Sequence, residues 1–254
     1  MSIDAIRQLR GLRDFTRHED VDQMIRQRDF VLRKYSPMFA PEAVGRIGAE
    51  EFVEFLQFEN NKHWWGLHRD ADSLTRNMDV LRWALGVLVD PDVDLTHRID
   101  EIDPPRGPKP ILGFEPAVYT AVLLVSDPTA YGVWSGISEA AMRRLDLWPD
   151  VPDDESRGTV YAAVNEMLLL TAASIETDLW TLDALFWGVE KEHDPTRHFK
   201  RRVQASPTPR RSVAAKTPAA KKPAKATTFL CDTCFQQKMM NLQSDTPGRC
   251  VDCA

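Results

Sequence analysis

The sequence predicts an all-α domain followed by a basic, low-complexity linker and a small metal module. Three observations carry that prediction. Apolar residues recur at helical spacing as far as about Glu192, and strand-like alternation is nowhere sustained. Positive charge is concentrated in one stretch rich in Ala, Pro and Lys. All four cysteines fall after position 230, in two C-x-x-C pairs.

The helical stripes can be taken in order. Ile6, Leu9, Leu12 and Phe15 mark a first helix, and Met24, Ile25, Val31 and Leu32 a second. Phe52, Phe55 and Leu56 stripe a short helix starting near Ala49. Val80, Leu81, Leu85 and Leu88 mark another, which Asp90-Pro91 ends because proline cannot continue the hydrogen-bond ladder. A Pro-rich loop runs from Asp103 to Pro110. Ala117 to Val125 is apolar nearly all round, which predicts a central buried helix. Val160–Ala173 and Leu179–Val189 complete a domain spanning residues 1–193.

Composition bounds the rest. Of 254 residues, 43% are hydrophobic and 28% charged, enough to bury a core without disulfides. The longest apolar run is interrupted by Thr120 and falls far short of the roughly 20 residues a membrane span needs. The opening Met-Ser-Ile-Asp-Ala-Ile-Arg has no apolar signal region behind it. The expectation is a cytoplasmic protein with no membrane partner.

The net charge of -6 conceals a partition. Residues 194–228 hold ten Lys or Arg against one acid, a net of +9. Residues 229–254 hold two basic and three acidic groups, a net of -1, which leaves -14 for residues 1–193. Without large apolar side chains the 194–228 stretch cannot build a core and is expected to be disordered. Its cations, Lys221 and Lys222 among them, suit nucleic-acid phosphate. The other readings are a solubilising linker, or a tail that folds back on the acidic domain.

Cys231-x2-Cys234, fifteen residues, then Cys250-x2-Cys253 is the paired-knuckle spacing of a zinc site. Four thiolates complete the tetrahedral shell that zinc prefers and leave no open position for water, so the metal would be structural. Two disulfides or free thiols are the alternatives, and a reducing compartment disfavours the former. Residues 229–254 hold few sizeable apolar groups, so metal binding would supply most of this module's folding free energy. Such a module contacts DNA or a protein partner.

The most unusual string is Phe58-Glu59-Asn60-Asn61-Lys62-His63-Trp64-Trp65-Gly66-Leu67-His68-Arg69. On a helix, Asn60, His63 and Trp64 would share a face, where amide, imidazole and indole can bond a base edge and stack on its face. The plain alternative is a packed aromatic corner. A second candidate is the glycine turn at Gly113, between Lys109 and the buried helix. It resembles the helix-hairpin-helix element, whose turn amides and helix N-terminus hold a DNA phosphate. Glu115 stands where that element carries its second glycine.

Three strings share a wider resemblance: Phe55-Leu-Gln-Phe-Glu-Asn-Asn-Lys-His-Trp, Tyr131-Gly-Val-Trp-Ser-Gly-Ile-Ser-Glu-Ala-Ala-Met-Arg-Arg-Leu and Asp178-Leu-Trp-Thr-Leu-Asp-Ala-Leu-Phe-Trp. Together they resemble a domain of bacterial restriction and phage-defence proteins, and more loosely the helix-hairpin-helix DNA glycosylases. The resemblance covers a little over half the chain. It implies an all-α, two-lobed fold with a DNA-facing cleft, and excision of a modified base, as in phage DNA. In that reading Asn60, Asn61, His63 and Trp64 line the base pocket, with His63 also among the groups for acid–base work.

The glycosylases carry a catalytic aspartate at the start of the helix after the glycine turn. Here that neighbourhood reads Trp134-Ser135-Gly136-Ile137-Ser138-Glu139, so Glu139 is the carboxylate at hand, with a capping box as its simpler role. No lysine follows Gly113 at the family's nucleophile position, which disfavours a Schiff-base lyase step. Asp183 lies between Trp180 and Trp187 on one helix face; burial there would favour acid–base use, and a hydrogen-bond acceptor is the alternative. The leading reading is glycosylase-like excision of modified bases; the alternatives are modified-DNA recognition without chemistry and a protein-interaction adaptor.

Overall fold

Asp94 opens a helix that the apolar stripes leave unassigned. The structure is a computed structural model, described over residues 3–14, 19–57, 64, 66–103, 111–152 and 154–192, and over two strands at 228–230 and 237–239. The chain divides into two compact units, Met1–Gln204 and Ala205–Ala254.

Among the described residues, the regular elements of the first unit are all helical. Helices α1 (Ile3–Asp14) and α2 (Glu19–Tyr35) bury Leu9, Leu12, Met24, Val31 and Tyr35 from the first two stripes. Two 3-10 turns lead to α3 (Ala49–Gln57), which buries Phe52, Phe55 and Leu56. After the short α4 (Ala71–Leu74) comes α5 (Met78–Val89), opened by the Asn77 side chain accepting from Val80 N–H and stopped at Asp90. The helix that Asp94 opens is α6 (Leu95–Ile102), which like α4 and the helix over Gly136–Arg144 has no apolar stripe assigned to it. The Asp94 carboxylate accepts from the N–H groups of Thr96 and His97, satisfying two donors that a helix start leaves orphaned.

Helix α7 (Pro116–Ser126) is the central helix the composition predicts, buried from Val118 to Val125. Then follow α8 (Gly136–Arg144), α9 (Arg157–Ser174) and α10 (Leu179–Glu192). The last is buried from Leu179 to Val189, a second central helix. It packs on α2 and α8, while α9 packs on α6. The α6–α9 approach depends on Gly158, whose N–H donates to the Asp100 carboxylate at 2.7 Å. A Cβ at Gly158 would collide with the Thr96 carbonyl oxygen.

An aromatic cluster holds α2, α3 and α10 together. Phe55 meets Tyr35 and Phe39 edge-on, at centroid distances of 5.4 and 4.8 Å. Trp180 closes the cluster and donates its indole N–H to the Met24 carbonyl at 2.9 Å. Truncating any one of these rings to alanine should cost about 3–5 kcal/mol, through lost transfer energy and the cavity left behind.

In the second unit β1 (Thr228–Leu230) pairs antiparallel with β2 (Gln237–Met239), with Phe229 opposite Lys238. Cys231 and Cys234 fall in the segment that joins these strands; all four cysteines, like Lys221 and Lys222, lie outside the described residues. Among the described residues no single helix is long and apolar enough to cross a membrane.

Candidate functional site

Of the residues singled out in the Phe58–Arg69 string, Asn60, Asn61 and His63 lie outside the described residues. Trp64 is described, and it sits in the core at 6% exposure. Its ring lies 5.9 Å from Phe55 and 5.3 Å, edge to face, from Trp180. As placed, the indole fills the aromatic corner and α3 has already ended at Gln57.

Gly113 does form a turn ahead of the buried helix. Its φ of +88° lies in the left-handed region that glycine alone enters freely, and the Phe114 N–H closes the turn onto the Ile111 carbonyl. The turn faces acids: a Cβ on Gly113 would lie 2.6 Å from the Cβ of Asp70. Glu115 is the N-cap residue of α7 and makes no side-chain cap bond. Its carboxylate instead accepts from the Arg157 guanidinium at 2.8 Å. A phosphate at this helix start would meet two carboxylates, which opposes the attraction of the helix dipole.

Arg157 also reaches Asp103, 3.3 Å from Nε to a carboxylate only 1% exposed. Burial works against the charge of Arg157, and the Glu115 hydrogen bond and the charges of Asp103 and Glu115 outweigh it, so its pKa rises. Beneath lies Tyr119, whose phenol is pushed above its ordinary range by burial while Arg157 pulls the other way. Next to it in the interior, Tyr161 donates to the Gly132 carbonyl at 2.8 Å and Asn165 holds the Gly132 N–H and the Ala130 carbonyl. Arg98 donates to the Leu88 carbonyl and to the Tyr131 hydroxyl, both at 2.9 Å. This internal polar network fixes the loop from Ala130 to Trp134. Nothing in the linear sequence flags Asp103, Arg98 or Arg157, because partners tens of residues apart share no local pattern.

Glu139 stands near the start of α8, but the capping box there belongs to Ser135 and Ser138, which bond each other's backbone reciprocally. The Glu139 carboxylate has two other partners. It accepts from the Trp134 indole N–H at 3.1 Å and from the Arg143 guanidinium at 2.9 Å. Asp183 is buried on α10 together with Trp180 and Trp187. Glu139 and Asp183 thus lie on packed neighbours, α8 and α10.

The tryptophans around Glu139 form a feature of their own. Trp134 and Trp148 lie 6.1 Å apart at a 54° tilt, and the Arg143 guanidinium sits 4.3 Å over the Trp148 ring. Among the described residues no group of three or more His, Cys, Asp or Glu side chains could hold a metal ion. Neither a family model nor a curated protein nor a solved structure matches this chain.

Proposed function

We propose that the protein binds DNA, as a recognition module of the bacterial restriction or phage-defence kind. The observation that carries this reading is the charge partition: +9 on residues 194–228, followed directly by a C-x-x-C pair of pairs. Ten cations on a chain without a core meet phosphate without sequence preference, releasing counterions as they bind. The four cysteines supply the donor set of a structural zinc site, and the β1–β2 hairpin brackets Cys231 and Cys234 as a zinc knuckle requires. Zinc there would hold the hairpin and the second cysteine pair together, leaving phosphate contacts to the linker, including Lys221 and Lys222. Modified DNA is the target implied by the resemblance of the helical domain.

Recognition is favoured over base excision by the environment of Glu139. A carboxylate that accepts from the indole N–H and the guanidinium around it already has a structural role. Excision remains the second outcome of the test, with Glu139, Asp183 and His63 as its acid–base groups.

The test incubates the full chain with plain duplex DNA and with duplex carrying hydroxymethylated or glucosylated cytosines. Binding, alkali-labile breaks and zinc content are read on the same sample. The reading expects about one zinc per chain, tighter binding to modified DNA and no abasic sites. Its log–log salt slope should be about -0.9 per phosphate neutralised. Breaks confined to modified DNA would replace recognition by excision. Absence of binding to either DNA at low salt would end the DNA reading altogether.

A further inference from the structure

Helix α9 is apolar on its outer face as well as its inner one. Tyr161, Val164, Leu168 and Ala172 point inward and are buried, and the helix packs on α6 and α10. Ala163, Glu166, Met167, Leu170 and Ala173 recur at the spacing of the opposite face, with Leu169 at its edge. Leu170 is 51% exposed and Leu169 36%. A solvent-facing helix stripe ordinarily carries charge; here Glu166 is the charged residue of the five, and it makes no ion pair among the described residues. One turn beyond Leu170, Arg10 of α1 donates to the Ser174 carbonyl at 2.7 Å while its side chain stays 48% exposed.

We infer that this face pairs with the same face of a second copy of the chain, the two α9 helices running antiparallel about a two-fold axis at Leu170. A two-fold interface must be complementary to itself, so what lies before the axis meets what lies the same distance after it. The outer face of α9 meets that condition at each level. Leu170 meets Leu170 at the axis. Three residues out, Met167 stands level with the second copy's Ala173, a long flexible side chain beside a small one. Four residues out, about 6 Å along the helix, Glu166 stands level with the second copy's Ser174 and so with the Arg10 guanidinium fixed there. The acid and the exposed cation therefore match twice across the axis. A parallel pair would instead set Glu166 beside Glu166 and Arg10 beside Arg10. An uncharged apolar partner would cover Glu166 with no cation to meet it, which burial penalises. The inference stands independently of the DNA-binding reading.

Sedimentation equilibrium of the full chain over a concentration series tests the pairing. One helix pair lies below the standard interface size, so a dissociation constant of about 10 µM is expected. The mass should climb from 28.9 kDa toward twice that value. Leu170→Glu, at an exposed position that spares the fold, sets two like charges at the axis and should weaken association at least about tenfold. Glu166→Arg places a cation level with Arg10 and should weaken it about fivefold. Adding Arg10→Glu to Glu166→Arg exchanges the two charges and should recover most of that loss, a rescue that a role within one chain would not give. A chain that stays monomeric at every concentration overturns the pairing. So does a dimer that Leu170→Glu and Glu166→Arg leave unchanged, because another surface then holds it. Flotation of a monomeric wild type with phosphatidylcholine vesicles overturns it too and gives the face to lipid.

Discussion

The guanidinium of Arg157, at the first turn of α9, lies 3.3 Å from the buried carboxylate of Asp103 at the end of α6. The same guanidinium holds Glu115 at the N-cap of α7. One side chain thus ties three helices, and it does so beside the glycine turn at Gly113. Arg157→Met should leave the Asp103 charge inside without this partner. The expected loss is about 2–3 kcal/mol, less than for a fully buried pair because water reaches one side of Arg157. Urea denaturation checks it; a loss below about 0.5 kcal/mol would place the pair with ordinary surface ion pairs.

Glu139 is expected to behave as a structural acceptor. Glu139→Gln keeps a group that can accept from Trp134 and weakens the partly exposed pair with Arg143. Stability should therefore fall by less than about 1 kcal/mol. Affinity for duplex DNA should be unchanged. If the wild type leaves abasic sites and this variant does not, Glu139 acts in chemistry instead.

Helices α8 and α9 end on the same device with an unusual residue. Leu147 N–H bonds back to the Met142 carbonyl, and Thr177 N–H to the Ala172 carbonyl. Between them the C′ residues Asp146 and Glu176 adopt φ of 56° and 54°. Glycine is favoured there because a Cβ crowds the carbonyl in the left-handed region. Asp146→Gly should raise stability by about 0.5–1 kcal/mol, read as a higher denaturation midpoint at unchanged slope. Glu176→Gly should gain less, since Arg10 approaches its carboxylate at 4.0 Å.

Two phenols inside the domain predict alkaline lability. Burial raises the pKa of Tyr119 and of Tyr161 above the ordinary 10.0. The unfolded chain therefore releases these protons first as pH rises. Their contribution to stability is complete below pH 10 and is lost as pH climbs from there toward the folded values. The expected slope is about 1.4 kcal/mol per pH unit for each phenol. Tyr161→Phe should halve that slope, at the cost of about 1 kcal/mol for the lost bond to the Gly132 carbonyl. Denaturation midpoints between pH 8 and pH 11 would show it, and a flat profile would exclude both groups.

The helical class and most helix positions were legible in the sequence because burial on one face leaves a local period of 3.6 residues. The stripes at Leu9, Met24, Phe55 and Leu85 lie in helices where they predict them. Helix α6 escaped, since its opening at Asp94 is a capping signal and its apolar positions are few. The linker's charge and the cysteine spacing are likewise properties of composition, readable without any fold. The sites were another matter. Asn60, Asn61 and His63 lie outside the described residues, while Trp64 proved to be core. Whether an indole faces a neighbour or a ligand depends on rings more than a hundred residues away, as Trp180 does for Trp64. Only the tertiary structure joined Asp103 to Arg157, whereas Glu139 and Arg143 are an i, i+4 pair on one helix. Packing and hydrogen bonding between side chains are set by three-dimensional distance, which local sequence pattern does not encode.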